Sequence, residues 1–427
     1  MDRRAVRIDT RRVTTLHRET EETMFTLCRM SGHSARRLLG AVSVLAALAA
    51  LSASSSPAAA QARWTMTDLG TPGSAWRDSA AADVNGLGEI AGTSGTASGK
   101  QHAFLWRQGK FTVLGTLGGR DSSASAINEH SEIIGTSLTA KPARTHAFLW
   151  QKGRMIDLGT LGGRSSRPRA VNERGQVVGE SFTANGQVHA FLWRRGRMSD
   201  LGTLGPAFTD SVALDVNDRG QVVGTSTTAS GKRHAFVWQN GRMIDLGTLG
   251  AAYTESAAVA INDHGQVVGS SYKPEVTQTG RHGHAFLWQH GRMTDLGMQG
   301  SRFTSSEGLA IDELGEVAGQ LGNDRGTQRP FLWRRGKTRD LGSLGGAFSA
   351  MVAMSDLGQV VGSAVPARGS VVHATLWHDG KVFDLGTLGG QESDAAAISP
   401  DGHHIVGMSQ TANGKRHAVL WMLPMDG

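Results

Sequence analysis

The feature that most constrains this chain is a unit of about 44 residues that recurs eight times. Aligned on the tryptophan that ends a His-Ala-Phe-Leu-Trp segment, the copies fall at Trp106, Trp150, Trp193, Trp238, Trp288, Trp333, Trp377 and Trp421, at intervals of 44, 43, 45, 50, 45, 44 and 44 residues. A repeated unit cannot bury its apolar face alone and must stack on its neighbours. A period of roughly 40 to 50 residues is that of propeller blades, each built from four strands. Helical repeats of similar length are disfavoured, because Gly and short Asn/Asp-Gly turns interrupt the unit about every 8 to 12 residues and no 3.6-residue period is sustained.

The copy from His234 to Gly269 shows the four strands. Ser256 to Ile261 alternates small and branched residues and is strand A. Asn262-Asp263-His264-Gly265 then reads as a tight turn, since Gly supplies positive φ and Asn or Asp bonds the local backbone. Gln266 to Ser271 is strand B, His234 to Trp238 is strand C and Met243 to Gly247 is strand D. The C and D strands are joined by Gln239-Asn240-Gly241-Arg242, a hairpin turn of the Asn-Gly type.

Two further positions recur in all eight units. A serine stands five residues before the last apolar residue of strand A, at Ser79, Ser122, Ser166, Ser211, Ser256, Ser306, Ser349 and Ser393. A glycine interrupts strand B at Gly92, Gly135, Gly179, Gly224, Gly269, Gly319, Gly362 and Gly407. Glycine weakens a strand unless a neighbouring backbone must come close. The expected fold is an all-β, eight-bladed β-propeller with strand A at the crowded centre. Its ring is closed by the D-type strand Thr65 to Gly70 pairing with the last C-type strand, His417 to Trp421, which removes exposed sheet edges.

The repeats resemble the HAF repeat of predicted extracellular bacterial proteins, through segments such as His102-Ala103-Phe104, His146-Ala147-Phe148 and His189-Ala190-Phe191. The resemblance covers Thr65 to Trp421 and implies export and a repeat fold, without an activity to carry over. Unit six departs from it with Arg329-Pro330, unit seven with His373-Ala374-Thr375 and unit eight with His417-Ala418-Val419.

Ahead of the repeats, Arg36 and Arg37 precede an apolar run from Leu38 to Leu51 and a small-residue stretch ending Ala60-Gln61-Ala62, the order of a signal peptide. The run is too short to span a bilayer, which needs roughly 20 residues. Residues 1–62 are therefore expected to be removed on export, with 1–29 marking a misassigned start ahead of Met30, and residues 63–427 to form one domain in the periplasm or outside the cell. The only cysteine, Cys28, lies in that leader, so disulfides do not staple the domain. Processing also leaves 35 Lys and Arg against 32 Asp and Glu. A net charge of about +3 is weak support for a nucleic-acid partner, and neither membrane insertion after cleavage nor a cofactor is expected. The domain reads as a monomer.

Candidate functional residues are sought where the repeat is broken, because binding sites on symmetric scaffolds are built from loops. Units one, four, five and six carry a D-to-A connection two residues longer than the rest, with an aromatic three residues before the recurring serine: Trp76, Phe208, Tyr253 and Phe303. Antiparallel alternation places these on one face with the B-to-C connections, which supply Lys232, Arg233, Lys273, Arg281, Arg325 and Arg329; the longest of these connections runs from Tyr272 to Gly283. Aromatic rings rimmed by cations suit stacking on sugars and pairing with anionic groups, although an aromatic can equally anchor the longer loop. The histidine heading strand C recurs in seven units, but lies roughly 10 Å further from the axis than strand A at about 4.8 Å per strand, too far out for copies to share a zinc whose ligands sit at about 2 Å. A hydrogen-bonding role is expected for it, as for Asp83 and Asp215 in strand A, and no metal site.

No nucleophile elbow, paired-His zinc signature or phosphate loop is present. The expected function is an exported binding or scaffold module that takes a surface glycan or envelope protein on one loop face. The alternatives are a carbohydrate-active hydrolase or lyase at the central channel, and a purely structural surface protein.

Overall fold

Short turns set the local geometry. In the turn after strand A of unit five, Asn262 Oδ1 accepts the Gln266 N–H at 3.0 Å and Gly265 takes a φ of 76°. In the C-to-D turn, Asn240 and Gly241 both take positive φ, 52° and 79°, the geometry whose twist matches that of flanking antiparallel strands. Repetition of these turns yields eight separate four-stranded antiparallel sheets in the computed structural model, which describes residues 64–206, 209–277, 280–297 and 302–423. The predicted leader, Cys28 included, lies outside the described residues.

Blades 1 to 7 comprise residues 76–115, 118–157, 162–200, 211–247, 255–295, 305–340 and 345–384, each in the order A-B-C-D. Blade 8 takes A, B and C from 389–422 and its D strand from Thr65–Gly70, which pairs antiparallel with Arg416–Met422. The A strands touch their neighbours all the way round, blade 8 to blade 1 included, so they line the axis. The protein is thus an all-β, eight-bladed propeller closed by its first described strand, as the repeat count, the lone D strand at Thr65–Gly70 and the three-stranded last unit lead one to expect.

The apolar core is divided among the blade junctions. Between blades 4 and 5 it comprises Val223, Ala235, Val237 and Leu246 from one side and Ala258, Ile261, Val267 and Phe286 from the other. A bulge shifts the register of strand A in every blade, as between Ala258 and Ala260. Bulges sharpen the twist, and here they turn strand A so that its carbonyl crowds strand B. A Cβ on Gly269 would overlap the Ala257 oxygen, and the other seven strand-B glycines meet strand A in the same way. That close approach is the reason for the recurring glycine.

The two lengths of D-to-A connection give two kinds of blade. In blades 2, 3, 7 and 8 the shorter connection ends in Gly-Gly, and strand A starts at the first of the pair, as at Gly118 and Gly162. The second glycine packs directly on strand B, where a Cβ on Gly119 would overlap the Leu138 carbonyl. Among the longer connections, strand A of blades 5 and 6 starts only after the aromatic, at Glu255 and Ser305, whereas in blade 1 Trp76 itself pairs with Thr96. Strand B of blade 5 runs on to Thr277 and strand C starts at Gly280, with Thr277 paired to Gly280. The segment from Tyr272 to Gly283, expected as a loop, is therefore a β-hairpin extension on the D-to-A face.

Candidate functional site

The residues that recur most faithfully form one hydrogen-bonded staple between adjacent blades. At the junction of blades 4 and 5, Ser256 Oγ donates to Gly247 O at 2.5 Å and accepts the Ala235 N–H at 2.8 Å. His234 Nδ1 lies 2.8 Å from Asp245 Oδ2, and Asp245 Oδ1 accepts the Gly247 N–H at 2.7 Å. The His-Ala pair, the Asp-Leu-Gly triplet and the strand-A serine are thus one unit of structure. The histidine–aspartate pair recurs at His146–Asp157, His189–Asp200, His284–Asp295, His373–Asp384 and His417–Asp68, the last across the ring closure. Each histidine is held by its own aspartate. The serine is buried and its hydroxyl is committed to backbone groups, so Ser, His and Asp do not make a nucleophilic triad, in which the serine must bond to the imidazole.

A second serine staple escaped sequence reasoning. Ser137, Ser181, Ser226, Ser271 and Ser409 of strand B accept the N–H of the leucine in the preceding Thr-Leu-Gly, in the connection that leads into the same blade, as from Leu161 N to Ser181 Oγ, 2.9 Å. The signal was present as a serine two residues after six of the eight strand-B glycines, Leu321 and Ala364 standing there in blades 6 and 7. On the opposite face, Asn85, Asn128, Asn172, Asn217 and Asn262 each donate Nδ2 to the backbone carbonyl of the next blade's turn, at 2.9 to 3.1 Å.

Both repeated devices fail at the junction of blades 6 and 7. Pro330 has no N–H for Ser349, whose buried Oγ has no partner, and Asp312 in place of Asn leaves its buried Oδ2 without one. Arg329 stands where the histidine would and donates to the carbonyls of Gln328, Ala347 and Gly346 at 2.9, 2.6 and 3.0 Å. Burial holds its guanidinium below the usual range. Asp340, left without a histidine, pairs with Arg302 at 3.2 Å. Arg329 is therefore spent on the blade junction.

The remaining residues singled out in the sequence fall in different settings. Phe303 is buried, 8% exposed, in the core between blades 5 and 6, so its ring face is not offered to a ligand. Phe208 lies outside the described residues, as does the side chain of Arg281, whose backbone pairs with Val276 in the extended hairpin. Arg325 is exposed at the tip of the blade 6 turn. Trp76 is half-buried, edge-on to His102 with ring centroids 5.7 Å apart.

Among the described aromatics of the longer connections, Tyr253 has both an imidazole and an ammonium beside it, whereas Trp76 has His102 and Phe303 has the Arg302 guanidinium 5.2 Å from its centroid. The Tyr253 ring lies 5.6 Å from that of His284, and Lys273 Nζ sits 5.8 Å from its centroid. Burial and the nearby Asp295 carboxylate push the phenol up. Burial also opposes ionisation of Asp295, but the bonds from His284 and the Gly297 N–H, with the charge of Lys273, outweigh it and hold the carboxyl low. Beside this cluster rises the extended hairpin, tied to blade 6 by His282 Nε2 and Asp324 Oδ1 at 3.0 Å. An aromatic face, an ammonium and an imidazole thus converge on a part-exposed patch of blade 5, an arrangement that can bind but that offers no activated nucleophile.

The axis has a different character. Asp83 and Asp215 turn away from chemistry: each accepts the backbone N–H of a neighbouring blade, Ile127 and Ile261 respectively, at 2.9 Å. On the channel-lining strands burial raises both Glu307 on blade 6 and Asp394 on blade 8. Burial is the whole cause for Glu307, with no neighbouring charge contributing. Asp394 is raised further by Glu392 of the same strand, against the bond from Ser363 and the charge of Arg416. Among the described residues no group of three or more His, Cys, Asp or Glu is placed to hold a metal ion.

A family model described as a protein of unknown function (DUF3466) matches residues 184–296, from the B-to-C turn of blade 3 to strand D of blade 5. No curated protein matches the chain. Among solved structures it is similar to the β-propeller domain of the Trilobed protease from Pyrococcus furiosus, at 10% identity over 73% of this chain and 96% of that one, with a TM-score of 0.46. TolB from Acinetobacter baumannii is 10% identical over 70% and 79%, with a TM-score of 0.36. A puromycin-hydrolysing peptidase of Mycobacterium tuberculosis is 14% identical over 68% of this chain, with a TM-score of 0.44; the match spans about half, 49%, of that longer chain. Likenesses this distant add nothing to what the sheet topology already shows.

Proposed function

We propose that the protein is an exported binding module that takes a surface glycan on the D-to-A face of blade 5, against Tyr253. The observation that supports this reading is the convergence there of the Tyr253 ring, the Lys273 ammonium and His284, beside a hairpin that no other blade carries. An aromatic face stacks on the apolar face of a sugar, and the ammonium and imidazole supply polar contacts at its edge. Export rests on the charged, apolar and small-residue order of residues 36–62.

The test uses residues 63–427 on an array of bacterial surface glycans, with Tyr253→Ala and Lys273→Ala as variants. Retention of a glycan by the parent, weakened at least tenfold in Tyr253→Ala at unchanged melting temperature, is expected. A parent that retains no glycan, or a Tyr253→Ala variant that binds as well as the parent, overturns the proposal and leaves a structural role. Turnover of a retained polysaccharide would overturn the non-catalytic reading.

A further inference from the structure

The opposite face of the ring, formed by the A-to-B and C-to-D turns, carries charge sorted by radius. The seven described C-to-D turns, residues 107–110, 151–154, 194–197, 239–242, 289–292, 334–337 and 378–381, hold 13 Lys and Arg against one acid, Asp379. The rest of residues 63–427 holds 22 Lys and Arg against 31 Asp and Glu. Strand D is outermost, so these cations form an outer rim. The A-to-B turns near the axis are mainly acidic: they carry Glu129, Glu173, Asp218, Asp263, Glu313 and Asp356 on consecutive blades, 2 to 7, with Arg174 and Arg219 as the cations among them.

The inner acids have structural work. From blade 1 to blade 5 each backbone N–H at this position is taken by the carboxylate of the next blade, as at Asp218 N to Asp263 Oδ1, 2.8 Å. The rim cations have little. Arg107 pairs with Glu89 and Arg334 with Glu316, while Arg194, Arg195, Arg197, Arg335 and Lys337 are exposed and make no ion pair among the described residues. Lys152, Arg195 and Arg335 sit at φ of 50° to 51°, the left-handed turn position that Gln108, Asn240, His290 and Asp379 occupy in the other blades. Shallow cavities of about 320 and 370 Å³ open at two of these turns, one lined by Arg107 and Lys110 and the other by Lys152 and Arg154.

From this geometry we infer that the rim binds a linear acidic polysaccharide, which follows the outer turns from blade to blade. A flexible chain can track the cations and stay clear of the inner carboxylates. A planar anionic bilayer would face both rings, whose opposite charges largely cancel beyond a screening length of about 8 to 10 Å. Single-stranded nucleic acid gains much of its binding from bases stacked on aromatics, and no aromatic is among the large apolar side chains exposed on the described surface.

The experiment measures binding of polygalacturonate to residues 63–427 across a salt series, with neutral dextran, single-stranded DNA and phosphatidylglycerol vesicles as further arms. The variants are Arg194→Gln/Arg195→Gln/Arg197→Gln on the blade 3 turn and, as a charge-matched control on the other face, Lys100→Gln/Lys232→Gln/Lys415→Gln, three exposed lysines of the B-to-C turns. Polygalacturonate binding that weakens as salt rises, falls about tenfold in the blade 3 variant with a shallower salt slope, and falls much less in the control is expected. The proposal is overturned if polygalacturonate is not bound at 50 mM salt, about the low end of the useful range, if dextran binds as well, or if DNA or vesicles bind more tightly. It is also overturned if a blade 3 variant with the parent's melting temperature binds as the parent does, or if the control loses as much.

Discussion

The recurring serine allows one substitution to be made twice in the same fold with opposite outcomes. Ser256 is buried and its Oγ holds both Gly247 O and Ala235 N–H. Ser256→Ala removes both bonds and leaves a buried N–H and a buried carbonyl unmatched. At about 1 to 3 kcal/mol for each orphaned buried group, the expected loss for the two is about 2 to 6 kcal/mol. Ser349 occupies the same position in blade 7 with 0% exposure, but Pro330 denies it a donor and its hydroxyl has no partner. Ser349→Ala removes a polar group that is already buried at a cost, so it should leave stability unchanged or raise it by about 1 to 2 kcal/mol. For some 365 residues the melting entropy converts 1 kcal/mol into about 1.3 °C. Differential scanning calorimetry and urea titration of the two variants read the contrast directly. Equal destabilisation by both would refute the reasoning, since it would mean that the methyl-for-hydroxyl change itself, and not the partners, sets the cost.

Two further outcomes follow from the histidine–aspartate pairs. His102 has Val113 where six other junctions have aspartate; its buried Nδ1 has no partner and burial lowers its pKa. Val113→Asp should supply the missing carboxylate, raise the His102 pKa in an NMR titration and raise the melting temperature, whereas an unmoved His102 resonance would show that the pair does not form. At His189 the bond to Asp200 raises the imidazole pKa against burial, while Asp200, although burial opposes it, is held low by His189 and the Gly202 N–H. A raised histidine stabilises fully below its unfolded value near 6.5 and loses the effect as pH rises through the folded value. A lowered aspartate stabilises above about 3.9 and loses the effect as pH falls through its folded value. The stability difference between the parent and Asp200→Asn should therefore be largest between about pH 4 and 6.5 and shrink on either side; a pH-independent difference in urea midpoints would contradict the pairing.

Much of the architecture was legible because the repeat is read along the chain. Spacing of the tryptophans counted the blades, the Asn-Gly and Asn-x-x-Gly turns marked the strand boundaries, and the lone D strand at Thr65 with the three-stranded last unit announced the closure. The glycine of strand B signalled a close backbone approach before the neighbour was known. Local sequence carries this information because turn chemistry and period-2 alternation act over a few residues.

What only the tertiary structure decided is which residues meet across a junction. His234, Asp245 and Ser256 read separately as a strand head, a strand-D acid and a small residue; the C-to-D pairing of blade 4 joins the first two, and the packing of blade 5 adds the serine. Packing between blades also separates four aromatics that look alike in sequence. Phe303 sinks into the core between blades 5 and 6, whereas Tyr253 stays at the surface beside Lys273 and His284. Burial depends on the far side of a junction contributed by another unit, and no spacing within one unit encodes it. The repeat determined the ring; contacts between its copies decided which departures from the repeat are spent on the frame and which are left to face a ligand.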